Sequence, residues 1–148
     1  MRTRATLLTA VLPLGALVAA CGSGGSATPT DNASATSTTV ATGVDLSKAT
    51  FVDDTSQKKV EVDAVDNNFQ DQYVKIKAGT TVEFKNAGHN EHNVVPVVKG
   101  SFKKAETSQF EPGTSYTVVF DKAGDYPYYC TLHGTPMKGM TGAVRVVA

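Results

Sequence analysis

From about residue 50 onward, apolar and polar positions alternate in short runs separated by turn-forming residues. Val60-Glu61-Val62-Asp63-Ala64, Tyr73-Val74-Lys75-Ile76-Lys77 and Thr81-Val82-Glu83-Phe84-Lys85 each repeat with a period of two. Successive side chains of a strand point to opposite faces, so each run predicts a strand with one face in a core. Further strands are predicted over Asn93–Val98, Tyr116–Phe120, Tyr126–Cys130 and Ala143–Val147, with Gly113, Gly124 and Gly142 as breaks. No stretch sustains a 3.6-residue apolar period long enough for a good helix, and there is no internal repeat. Short strands at this spacing predict an all-β fold, an antiparallel sandwich or barrel of about 100 residues. A domain of that size buries a working core without disulfides.

The first third of the chain reads differently. Arg2 and Arg4 precede Ala5 to Ala20, which is almost wholly small or apolar but short for a membrane span and interrupted by Pro13 and Gly15. That pattern predicts a cleaved export signal over residues 1–20. It ends Leu17-Val18-Ala19-Ala20-Cys21, which resembles a bacterial lipobox and implies that Cys21 is the lipidated first residue of the mature protein. Residues 21–48 then carry a Ser/Thr/Ala/Gly-rich run with few bulky apolar side chains. Such a segment cannot bury enough surface to offset its chain entropy and is expected to be a disordered tether. The domain plan is therefore signal 1–20, lipidated linker 21–48 and folded domain 49–148. An exported chain, anchored by lipid on the extracytoplasmic side of a membrane, is the expected location.

Charge adds little. Fourteen basic residues balance fourteen acidic ones, and without Arg2 and Arg4 twelve face fourteen. There is no basic excess to bind nucleic acid. The cysteine count is more informative. Of two cysteines the lipobox accounts for Cys21, which leaves Cys130 alone in an oxidising compartment. A disulfide framework is excluded for the domain, and Cys130 is either buried filler, a reactive thiol or a metal ligand.

The neighbours of Cys130 favour the last. All three histidines, His89, His92 and His133, fall in the folded part. Cys130-Thr131-Leu132-His133 closes a predicted strand, Met137 and Met140 follow, and His92 opens another strand about forty residues upstream. One thiolate, two imidazoles and a thioether are the donors of a type 1 (blue) copper site, with His₂Cys in a near-trigonal plane and a long axial Met. The soft thiolate suits Cu(I) and bonds Cu(II), while imidazole tolerates both states. A catalytic multicopper enzyme would need more histidines than three, so the chain reads as no enzyme.

Asp125-Tyr126-Pro127-Tyr128-Tyr129-Cys130-Thr131-Leu132-His133-Gly134, continuing through Gly139-Met140-Thr141-Gly142-Ala143-Val144, resembles the C-terminal signature of plastocyanin- and amicyanin-like cupredoxins. Asn86-Ala87-Gly88 with His92-Asn93-Val94-Val95 is similar to the family's first-histidine motif, and Ala78 to Phe84 to its strand entry. The resemblance covers roughly residues 58–148. It implies a Greek-key β-sandwich with one copper at one end, held by His92, Cys130, His133 and Met140. It also implies that Asn93 hydrogen-bonds the cysteine-side loop and stiffens the site.

The chain departs from that pattern in three places. Glu91 and Leu132 stand where proline is common, and six residues separate His133 from Met140, more than in typical plastocyanins. Met137 would make a shorter loop, but Gly139-Met140-Thr141-Gly142 leads into the last strand as the family pattern does. Met137 is then expected on an exposed rim beside Pro136. His89, with Glu91, is a weaker candidate for a second site. The expected function is single-electron transfer by a monomer that meets a redox partner protein transiently. A copper-buffering or delivery protein with a looser loop, and a metal-free adhesion sandwich, are the alternatives.

Overall fold

The computed structural model describes residues 43–148, and strands occur where the period-two runs predict them. In chain order they are β1 (Val52–Asp53), β2 (Lys59–Val65), β3 (Asn68–Phe69), β4 (Tyr73–Lys77), β5 (Thr80–Asn86), β6 (Val95–Pro96), β7 (Ser115–Phe120), β8 (Gly124–Thr135) and β9 (Lys138–Val147). A three-residue 3₁₀ turn, Thr107–Gln109, is the only helical element among the described residues. Five strands form one sheet in the order β1-β4-β9-β8-β6, and four form the other in the order β3-β2-β5-β7. The all-β sandwich is as expected.

Strand direction is not. β2 with β5, β4 with β9 and β1 with β4 are parallel, so both sheets are mixed rather than antiparallel. Alternation reports which side chains face the core, not which way a neighbour runs. Here the chain crosses to the opposite sheet between partner strands, and a crossover is what parallel pairing needs.

Other bounds also differ. The strand expected over Asn93–Val98 shrinks to Val95–Pro96, with Val94 bridged singly to Ala105. Val97 N–H still donates to the Pro127 carbonyl at 2.9 Å, but Pro127 has no N–H to return and the ladder ends there. Gly142 is no break but lies inside β9, where a β-carbon would collide with the Tyr128 hydroxyl and the Gln72 carbonyl. Both C-terminal strands run past their expected ends into a hairpin, described below.

The core is built from the inward set of each run. β5 alternates strictly, with Thr80, Val82, Phe84 and Asn86 buried, and β2 contributes Val60, Val62 and Ala64. Tyr128 of β8 is buried with its ring edge-on to Phe69 and Phe84 at 5.0 and 5.1 Å, and its hydroxyl donates to the Gln72 carbonyl at 3.2 Å. Each fully buried Val or Phe stabilises the fold by roughly 1.5–3 kcal/mol, so this set fixes the register of both sheets. On the outer face Glu61 stands opposite Glu83, and Lys59 and Lys85 relieve the pair diagonally at 2.6 and 3.8 Å.

The export signal and Cys21 lie outside the described residues, as does most of the linker. Of residues 21–48, the stretch 43–48 is described. Gly43 lies beside Val97 and Pro127, and Val44 and Leu46 are half-buried.

Candidate metal centre

His92 lies in the connection from β5 to β6, and two asparagines brace that connection. Asn86, the last residue of β5, donates from Nδ2 to the carbonyls of Asn90 and Phe110, both at 2.9 Å, and its Oδ1 accepts from Gly88 N–H. Asn93 follows His92. Its Oδ1 accepts the Thr131 N–H at 2.8 Å and its Nδ2 donates to Thr131 Oγ1 at 2.7 Å. The residue after one candidate donor is thus bonded twice to the residue after the other, as the resemblance implied.

Cys130 and His133 come from β8 through a break in its pairing with β9. Tyr129 pairs with Thr141 and Gly134 with Gly139, so the four residues Cys130 to His133 stand opposite Met140 alone. The extra chain bulges, which turns His133 back toward Cys130. Beyond the bulge the strands re-pair as Gly134–Gly139 and Thr135–Lys138 and close through Pro136-Met137. The long spacing between His133 and Met140 is therefore no loose loop. It is a tight hairpin, made possible by Gly139 with φ of +83°.

The structure brings His92, Cys130 and His133 to one point. Cys130 Sγ lies 3.8 Å from His92 Nδ1 and 3.6 Å from His133 Nδ1, and the two nitrogens are 3.1 Å apart. A triangle of those sides has a circumscribed radius (the product of the sides over four times the area) of about 2.0 Å. That is roughly the length of a metal–imidazole bond and a little under a metal–thiolate bond. One ion at the centre reaches all three donors without moving them. Among the described residues this is the one such cluster of three or more His, Cys, Asp or Glu.

Burial prepares the donors. His92 and Cys130 are buried and His133 is half-buried. Burial first, and then the neighbouring His133 ring, pull His92 below the usual histidine range, while Asp66 acts weakly the other way. The neutral imidazole, whose lone pair is free for a metal, is the favoured form. The other ring nitrogen of His92, Nε2, is buried and has no hydrogen-bond partner among the described protein atoms. The His133 ring lies edge-on to it, with centroids 4.8 Å apart. A soft thiolate with two imidazoles in a near-trigonal set fits copper.

The remaining candidates separate by burial. Met140 is fully buried in the same core cluster as Cys130, whereas Met137 is 61% exposed at the hairpin tip. His89 and Glu91 are exposed and outside the cluster. Sequence reasoning gave no role to Asn86, Thr107 or the Gly134–Gly139 pair. Two glycines placed symmetrically about Thr135-Pro136-Met137-Lys138 were the available signal for the hairpin.

The profile of the family described as copper binding proteins, plastocyanin/azurin family, matches residues 56–147. The chain is 40% identical over 79 residues to plastocyanin from Scenedesmus fuscus, covering 48% of this chain and 81% of that one. It is 36% identical over 85 residues to the chloroplastic plastocyanin of Tetradesmus obliquus, covering 53% of this chain and 57% of that one. Among solved structures, a mutant of amicyanin, Cu(I), is similar with a TM-score of 0.52 at 27% identity, over 62% of this chain and 84% of that one. Matched along most of its folded part and built around this donor triangle, the chain belongs to the plastocyanin/azurin family of copper-binding proteins.

Proposed function

We propose that this protein carries single electrons through one type 1 copper that His92, Cys130 and His133 would hold, with Met140 as the fourth donor. The observation that carries the reading is the donor triangle, whose size suits one ion bound by all three atoms. Bound copper supplies a one-electron couple between Cu(II) and Cu(I). The residues supply constancy: the paired hydrogen bonds between Asn93 and Thr131 and the closed hairpin hold the donors alike for both states. Burial of Met140 across from Cys130–His133 supports it over Met137 as the fourth donor.

His133 marks the exchange point. It is half-buried, and two apolar side chains near it along the chain, Leu132 (50%) and Met137 (61%), are exposed. An apolar rim around a donor ring suits brief, small-area docking to a redox partner. The delivery alternative drew its support from a loose ligand loop, and the tight Gly134–Gly139 hairpin speaks against it. In the same reading the protein is exported, cleaved before Cys21 and held by lipid at the extracytoplasmic surface. The linker of residues 21–48 then acts as its tether and the domain acts as a monomer.

Copper titration of the folded domain tests the function. One Cu(II) per chain is expected, with an intense visible thiolate-to-copper absorption and a reversible midpoint potential. Failure to bind stoichiometric copper, or binding without that absorption, ends the reading. Fractionation of cells expressing Cys21→Ala tests the anchor: the variant should leave the membrane fraction, and if it stays there the lipid assignment is wrong.

A further inference from the structure

We infer that Thr107, on the 3₁₀ turn between β6 and β7, is a positioning residue for the metal centre that acts through Asn93. The inference rests on the copper reading and assigns part of the site to a segment that carries no donor.

The orientation of the Asn93 amide follows from its partners. The Thr131 backbone N–H can only donate, so the atom facing it at 2.8 Å is Oδ1. The NH₂ group must then face the other way, where it meets two hydroxyls: Thr131 Oγ1 at 2.7 Å and Thr107 Oγ1 at 3.3 Å. Two hydrogens meet two acceptors. Thr131 and Asn93 each follow a candidate donor in the chain, so these bonds tie the His92 segment to the Cys130 segment. Thr107 adds a further side-chain anchor to that pair, brought in from 14 residues beyond Asn93.

Thr107 serves this purpose because its own turn is fixed. The Glu106 N–H donates to Gln109 Oε1 at 3.2 Å, and the Gln109 N–H donates back to the Glu106 carbonyl at 2.9 Å. This reciprocal pairing closes the turn as a capping box does. Phe110, at its end, buries its ring in the core and accepts the Asn86 amide at its carbonyl. On the other side Ala105 exchanges two backbone bonds with Val94, at 3.0 and 3.2 Å. The segment from Ala105 to Phe110 is therefore bonded to Asn86, Asn93 and Val94, residues on both sides of His92.

Removing the Thr107 hydroxyl leaves one Asn93 N–H without its protein acceptor and frees the amide to rock. The Thr131 N–H, and with it the backbone beside Cys130 Sγ, loosens. Cu(II) demands its donors in place more strictly than Cu(I), so a looser site loses relatively more affinity for Cu(II), and the potential rises.

The test compares Thr107→Val, which keeps shape but removes the hydroxyl, with Thr107→Ser, which keeps the hydroxyl. It reads the midpoint potential, the thiolate-to-copper absorption and, in the copper-free protein, hydrogen exchange at the Thr131 amide. Thr107→Val is expected to shift the ratio of Cu(I) to Cu(II) affinity about threefold, which is roughly 28 mV for a one-electron couple. Thr131 exchange should quicken about fivefold, with Thr107→Ser close to the parent on each readout. Gln109→Ala, which loosens the turn and leaves every site residue in place, should move the same readouts the same way by less. If Thr107→Val folds and matches the parent in potential, absorption and Thr131 exchange, the inference is overturned. It is equally overturned if Thr107→Val does not fold and Gln109→Ala matches the parent. Loss of copper binding in the parent protein would instead defeat the copper reading, while Thr131 exchange still reports whether Thr107 positions the loop.

Discussion

Gly134 and Gly139 face each other across the neck of the hairpin beyond His133 so closely that neither has room for a β-carbon. One added at Gly139 would lie 2.6 Å from the His133 carbonyl oxygen and 2.9 Å from the Gly134 Cα, and one at Gly134 would lie 2.7 Å from the Met140 nitrogen. Gly139 also holds a φ of +83°, which disfavours any side chain. Gly139→Ala is expected to cost about 1–3 kcal/mol of stability by denaturant unfolding. It should also release copper faster to a chelator, because the His133 backbone must shift to make room. Unchanged release would show that the hairpin does not support the donor.

Cys130→Ser should remove the thiolate absorption completely while the copper-free domain still folds. The two imidazole nitrogens beside this position can pair with a hydroxyl, so stability should change little, which unfolding curves would register. Surviving colour would show that another group supplies the thiolate-to-copper band.

Leu132→Lys and Met137→Lys probe the apolar rim. Neither side chain is buried, so absorption and potential should stay as in the parent. Electron self-exchange between two copies brings two rims together, and a lysine on each would cut its rate by about tenfold at low salt, with partial recovery at high salt. Equal rates would place electron exchange elsewhere on the surface.

Acid should weaken the copper-free protein through His92. Its folded value lies below that of the unfolded chain because burial disfavours the charged ring. As pH falls past about 6.5 the unfolded chain takes up a proton that the folded one resists, so unfolding becomes easier. Midpoints of urea unfolding at pH 7.5 and pH 5.5 measure this, and His92→Gln should flatten the difference. A slope that survives in His92→Gln would assign it to another group.

A second pH effect lies at the edge of the five-stranded sheet. The Lys75 ammonium, 2.6 Å away, and then the Thr55 hydroxyl and N–H lower the Asp53 carboxyl from 3.8 to about 2. A lowered carboxyl stabilises the fold above its unfolded value and ceases to as pH drops from about 4 toward 2. Asp53→Asn should abolish that component between those pH values. Because the pair is exposed, high salt should shrink it as well. An acid unfolding curve identical to the parent's would show that the β1–β4 link adds nothing.

How much of this was legible in the chain depended on whether the cause was local. The runs at Val60–Ala64, Tyr73–Lys77 and Thr81–Lys85 became β2, β4 and β5 because alternation is a property of neighbouring residues and burial rewards it directly. Val95–Pro96 fell short because the residue facing Val97 is Pro127, which has no N–H to return, and the pattern of one strand does not show what its partner lacks. The direction of β2 beside β5 and of β4 beside β9 was invisible, since either direction buries the same faces. Cys130, His133 and His92 stood out by residue type and spacing, but spacing cannot say that a hairpin takes up the residues between His133 and Met140.

The sequence by itself determined the strand-rich fold class and the kinds of donor available, because side-chain period and ligand chemistry are written residue by residue. The tertiary structure alone decided that Cys130 Sγ and the two Nδ1 atoms meet within bonding reach of one centre. It also decided that Met140 is enclosed while Met137 is exposed, and that Thr107 braces Asn93. Those outcomes depend on closing long stretches of chain against one another, and the free energy for that comes from packing two whole sheets, not from any one segment.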